Sequence, residues 1–123
     1  MRDERGDAVT ETVLIVPVLL LMIMLVIQFG LWYHAQHVVQ AAAQEGARAA
    51  RAEGMTAADG RTRAEMFLAV TGSGAVQGAA IEADRSPEAV TVRVEGRAPA
   101  VVPGLRLGVR SSATSSVEAF RAP

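Results

Sequence analysis

VLIVPVLLLMIMLVI, residues 13–27, is unbroken apolar sequence. Gln28, Phe29, Gly30, Leu31, Trp32 and Tyr33 extend it to about 21 residues with one polar side chain, Gln28. At ~1.5 Å per residue that run covers roughly 30 Å, the thickness of a bilayer's hydrocarbon core. Trp32 and Tyr33 stand where an interfacial aromatic belt belongs. Pro17 lies in the first turns and removes one backbone donor, which loosens or kinks the helix start. Two other readings of the run are a secretory signal peptide and a buried soluble helix. A signal peptide calls for a basic leading region and a small-residue cleavage site after a short apolar core. Here Asp3, Glu4, Asp7 and Glu11 outnumber Arg2 and Arg5 ahead of the run, and the first small-residue cluster, Ala41-Ala42-Ala43, comes late. A helix apolar all round is also hard to bury in a chain this short. Charge does not orient the span, because Arg48 and Arg51 after it balance Arg2 and Arg5 before it.

The flanks bound the remaining possibilities. A chain of 123 residues makes one domain at most, and part of it is committed to the span. The rest has a modest core and is marginal alone, so support from neighbouring subunits is expected. The net charge is −1, which supplies no basic field for nucleic acid. Every basic residue is Arg. No Cys is present, so disulfides, thiolate metal sites and a Cys nucleophile are excluded.

Glu11 sits two residues before the apolar run, where an ionised carboxylate is costly without a partner. Gly6 lies five residues upstream. A cut after Gly6 makes Asp7 the first residue and Glu11 the fifth, and a free α-amino group with a pKa near ~8 is mostly protonated at neutral pH. Positions 7 and 11 are one helical turn apart. Glu11 can therefore meet its own chain's new amine or that of an adjacent subunit.

Arg5-Gly6, Glu11, the apolar run with Pro17 soon after Glu11, Gln28-Phe29-Gly30, and Gln44-Glu45-Gly46-Ala47-Arg48-Ala49-Ala50 together resemble the type IV pilins and pseudopilins. The likeness is closer to the TadE-like proteins of tight-adherence (Flp) pilus systems than to the wider group. The likeness covers residues 5 to about 50, and the rest follows only as a loose pattern of short strands. Two positions depart from it: Thr12 stands where members often carry Phe, and Gln28 where they often carry Glu before the Phe-Gly pair. The resemblance implies a processing site at Gly6 and Asp7 cut by a prepilin peptidase, charge pairing by Glu11 during assembly, and no catalysis or cofactor. The implied partners are the peptidase, other pilin or pseudopilin subunits with their assembly machinery, and the lipid membrane. Residues 1–6 become a cytoplasmic leader, 7–54 a transmembrane and extended helix, and 55–123 a small extracytoplasmic domain. The implied location is the bacterial cytoplasmic membrane, with the C-terminal part outside, and the resemblance extends to incorporation into an extracellular pilus.

Residues 35–51 continue the helix beyond the membrane. Ala35, Val38, Val39, Ala42, Gly46 and Ala49 recur at spacings of three and four, while Gln36, Gln40, Gln44 and Arg48 form a polar stripe. Ala42, Gly46 and Ala50 make a ridge of small residues that lets another helix approach, within the subunit or between subunits. Alanine is also simply the best helix former. Glu45 and Arg48 can pair at i, i+3, and Gly54 is a stop signal. Thr56-Ala57-Ala58-Asp59 resembles a capping box and opens a second helix to about Val70, with Met66, Phe67 and Val70 as its apolar residues. Residues 71–78 form a Gly-rich turn without phosphate-binding spacing. Residues 79–83 are a weak strand. Val90, Val92 and Val94 alternate with Thr91, Arg93 and Glu95 as a half-buried strand. Residues 84–88 between these are turn chemistry, suiting a hairpin. A last, Ser/Thr-rich edge strand falls within residues 109–120. The expected class is α+β, one long helix packed on a small antiparallel sheet.

No constellation points to catalysis or to a metal. His34 and His37 share a helix face but lack a nearby Cys or carboxylate. Ser111, Ser112, Ser115 and Ser116 have no His in their half of the chain. The leading reading is a non-enzymatic pilin-like subunit. The alternatives are an uncleaved single-pass anchor displaying a small binding domain, and a secreted domain with a removable signal.

Overall fold

Forty-seven residues, Glu4–Ala50, form one continuous helix, α1, in the computed structural model. The structure describes residues 4–52 and 54–117, with side chains from Ala8 onward. Residues 1–3 of the expected leader, Glu53 in the expected extended helix, and residues 118–123 of the expected C-terminal domain, 118–120 in its last strand, lie outside the described residues. The helix runs on through Pro17, whose carbonyl partner one turn earlier loses its donor.

The remaining elements are a second helix α2, Ala57–Val70, and three strands: β1 Gln77–Arg85, β2 Ala89–Arg97 and β3 Gly108–Ser116. The strands pair antiparallel in the order β1-β2-β3, with β2 in the centre and the Ser/Thr-rich β3 at an edge. The expected α+β class holds. Thr56 caps α2: its hydroxyl accepts from the Asp59 amide at 3.2 Å, and the Asp59 carboxylate accepts from the Thr56 amide at 2.7 Å. The capping box read from the sequence is therefore formed.

The hairpin turn is tighter than residues 84–88. Asp84 and Arg85 remain in the ladder opposite Thr91 and Val90. The Ser86 hydroxyl accepts from the Glu88 and Ala89 amides, so three residues suffice to reverse the chain. At the other end of β1 the register shifts between Gln77 and Ala80, where Gly78 takes φ +61°. A bulge of this kind needs a residue without a Cβ.

The core lies between α1 and the inner face of the sheet. From α1 come Ala35, Val39, Ala42, Ala43, Ala47 and Ala50, and from the sheet Ile81, Val90, Val92, Val94 and Val109. Val90, Val92 and Val94 are fully buried, each stabilising the fold by about 1.5 kcal/mol or more. Alanine on the helix side keeps α1 close to the valines, so a sheet of three strands can cover it. Arg85 of β1 donates to the Ala50 carbonyl at 3.2 Å, which satisfies an orphan carbonyl of the last turn of α1 with a cation at its negative end.

The second helix packs differently from its sequence pattern. Its buried residues are Gly60 and Ala64, while Met66 and Val70 are exposed. A Cβ built on Gly46 of α1 would stand 2.7 Å from the Gly60 carbonyl oxygen. The two helices therefore touch backbone to backbone, and larger side chains are pushed to the rim of the contact.

Candidate functional site

Among the described residues, the N-terminal half of α1 is left uncovered by the rest of the chain. Residues 8–27 are exposed except for Met24, which is half-buried. The helix Ala8–Ala50 contains a stretch of mean hydropathy 2.8 of which 6% is buried. A core helix of a soluble protein has its apolar surface covered; this one leaves Val13, Leu14, Leu20, Ile23 and Val26 open. It is long and apolar enough to cross a membrane.

Gly6, Asp7 and Glu11 all fall within α1, so positions 7 and 11 stand one turn apart on regular helix. The Glu11 side chain is exposed, and among the described residues it has no ion pair. The neighbouring Thr12 hydroxyl donates to the Ala8 carbonyl at 3.0 Å, which keeps that polar side chain satisfied along the helix.

The burial pattern changes abruptly at Gln28, which is 2% exposed. Its side-chain amide donates to the Pro99 carbonyl at 2.9 Å, and its carbonyl oxygen accepts from the Val101 and Val102 amides at 2.7 and 3.3 Å. Two turns and more of α1 repeat the theme. Trp32 Nε1 donates to the Gly108 carbonyl at 3.2 Å, and Gln36 Nε2 to the Arg110 carbonyl at 2.8 Å. Positions 28, 32 and 36 are each one turn apart, so they form a polar seam along which α1 holds the β2–β3 connection and the edge of β3.

Gln28 falls in the apolar run and Gln36 in the polar stripe of the sequence, and the fold uses both to hold distant backbone groups. The available signal was a lone amide in an otherwise apolar run, since such a group must find partners. What the pattern lacked was the identity of those partners, more than seventy residues away.

The small-residue ridge lies on the buried side of α1. Ala42 and Ala50 are fully buried in the core, and Gly46 faces Gly60 of α2. Glu45 spans the same pair of helices: one carboxylate oxygen accepts from Arg63 at 3.0 Å and the other from Arg48 at 3.4 Å. These pairs are partly exposed, so each contributes about 1 kcal/mol or less. His37 packs edge-on against Tyr33 with ring centroids 4.5 Å apart. Among the described residues no group of three His, Asp or Glu could hold a metal ion.

Comparison with known proteins adds one finding. The family model described as TadE-like protein matches residues 6–48, the helix from the Gly6 position to the Glu45-Gly46-Ala47-Arg48 string. The resemblance read from the sequence is thus found again over that segment. No curated protein and no solved structure matches the chain.

Proposed function

We propose, from the TadE-like match over residues 6–48, that the chain is a non-enzymatic, pilin-like subunit associated with a tight-adherence pilus or a related secretion system. The observation that carries this reading is the uncovered apolar half of α1 joined to a packed domain. A helix of that composition cannot remain in water; it is covered by lipid before assembly and by the helices of neighbouring subunits afterwards. The domain formed by α2 and the sheet faces outward from the cytoplasmic membrane. A prepilin peptidase cuts after Gly6, and residues 1–6 are its leader. Asp7 then carries the α-amino group, and Glu11, one turn on, pairs with that amine or with a neighbour's. The pair stabilises a carboxylate at the membrane edge and sets the register between subunits.

The test is the intact mass and N-terminal sequence of the protein extracted from membranes of a host that has its prepilin peptidase. A chain starting at Asp7 is the expected result. A chain starting at Met1 or Arg2 would overturn cleavage, and one starting beyond residue 40 would mean a secreted domain. The uncleaved anchor has one observation in its favour. Helix α1 already begins at Glu4, so the bond between Gly6 and Asp7 lies in regular helix and must unwind to enter a protease.

A further inference from the structure

The β2–β3 connection, residues 98–107, has the sequence APAVVPGLRL. It is closed at its base by the Ala98 amide donating to the Leu107 carbonyl at 3.0 Å. Its tip is a turn in which the Leu105 amide donates to the Val102 carbonyl at 3.2 Å. Pro103 occupies the second position of that turn and Gly104, at φ +79°, the third, the residue types a type II turn requires. The loop is therefore built rather than loose. It is also unusually apolar for a turn, with Val101 and Pro103 exposed and Val102 and Leu105 half-buried.

Its height along α1 follows from Gln28. The three hydrogen bonds from Gln28 to Pro99, Val101 and Val102 hold the loop at that residue. Helical side chains tilt toward the N-terminus, so the loop lies level with Gln28 or slightly below it. Met24, one turn below on the same face, is the half-buried exception among residues 8–27.

The height of the lipid boundary follows from length. Residues 13–27 span about 22 Å, which is already short of a ~30 Å hydrocarbon core. None of that run can be left outside the lipid, so the outer boundary falls at Gln28 or beyond. The loop bonded to Gln28 must then meet the bilayer. Hydrophobic mismatch acts in the same direction, because an apolar collar beside a short span extends the surface that lipid can cover. Arg106, exposed on the same loop, suits the phosphate layer.

We propose that the loop of residues 98–107 is a membrane-surface foot, which seats the outer domain on the lipid headgroup layer beside its own span. This rests on the membrane reading of α1 given above. The occupant of Val101, Pro103 and Arg106 is the bilayer surface, contiguous with the lipid around residues 8–27. The sheet then stands away from the membrane, with the far end of β3 at Ser116 in water.

The full chain reconstituted in phosphatidylcholine vesicles can test this directly. Trp32 is the single tryptophan, one turn above Gln28. In the unmodified protein its fluorescence should be quenched severalfold more by lipid brominated near the headgroup than by lipid brominated near the bilayer centre. The absence of Cys allows single labels at Val101→Cys, Pro103→Cys, Leu20→Cys and Ser116→Cys. With a thiol-reactive fluorophore, positions 101 and 103 should be quenched by shallow nitroxide lipid severalfold more than 116, and position 20 by deep nitroxide. If position 20 is deep but 101 and 103 are as open to aqueous iodide as 116, the foot is wrong and the span stands. If position 20 is itself aqueous, the membrane reading fails and the foot with it. If Trp32 is quenched best from the bilayer centre, the loop is embedded and the surface placement is overturned.

Discussion

Gln28 is one amide that accounts for three backbone groups. Its carbonyl oxygen takes two amides of a loop 73 and 74 residues away, and its NH2 reaches the Pro99 carbonyl. Gln28→Leu keeps the volume and leaves those groups without partners. Such a loss costs about 1–3 kcal/mol where the groups stay buried. The expected outcome is faster amide exchange at Val101 and Val102 with little change at Val92, read by hydrogen exchange in detergent micelles. Gly6 and Glu11 belong to the same scale but to a different process. Gly6→Leu should leave the membrane-extracted protein at its unprocessed mass. Glu11→Ala should leave processing intact and reduce the fraction of the protein that co-purifies with neighbouring subunits. Were the mutated chain to assemble as well as the parent, the charge pairing assigned to Glu11 would be refuted.

The helices show how composition sets the distance between elements. Where α1 meets α2, Gly46 and Gly60 allow a backbone contact that no side chain fits. A Cβ on Gly60 would stand 2.7 Å from that of Ala50. Overpacking a close contact costs about 1–3 kcal/mol, so Gly46→Ala should lower the thermal unfolding midpoint of the detergent-solubilised chain. Gly30 has nothing within 4 Å of its built Cβ. Gly30→Ala should instead stabilise the helix, by up to about 1 kcal/mol from propensity. The same glycine-to-alanine change thus acts with opposite sign at two positions of one helix. Packing explains why Met66 and Val70, the obvious apolar residues of α2, stay outside while Gly60 and Ala64 go in.

The whole molecule is a helix twice as long as its domain needs. Residues from Gln28 onward hold the sheet and α2, while residues 8–27, Met24 apart, are exposed among the described residues. Carbonate-washed membranes should therefore retain the full protein. Deletion of residues 13–27 should release it while leaving the contacts of residues 35–50 with the sheet. Retention of that deleted form would show that the anchor lies elsewhere.

The apolar run, the capping box at Thr56 and Asp59, the alternation at Val90, Val92 and Val94, and the Glu45 to Ala50 string could all be read from the sequence. Each is a local pattern, with partners within a few residues or a periodicity that belongs to one element. The α+β class and the uncovered helix followed from them. Four features waited for the tertiary structure: the role of Gln28, the docking of Trp32 and Gln36 on β3, the backbone contact of Gly46 with Gly60, and the shortening of the hairpin turn at Ser86. The first three join positions far apart in the chain. The height at which the loop of residues 98–107 sits on α1 depends on the same long-range pairing. A single sequence displays which groups must be satisfied, and the folded chain decides by which distant groups, because hydrogen bonds and close packing are set by three-dimensional proximity.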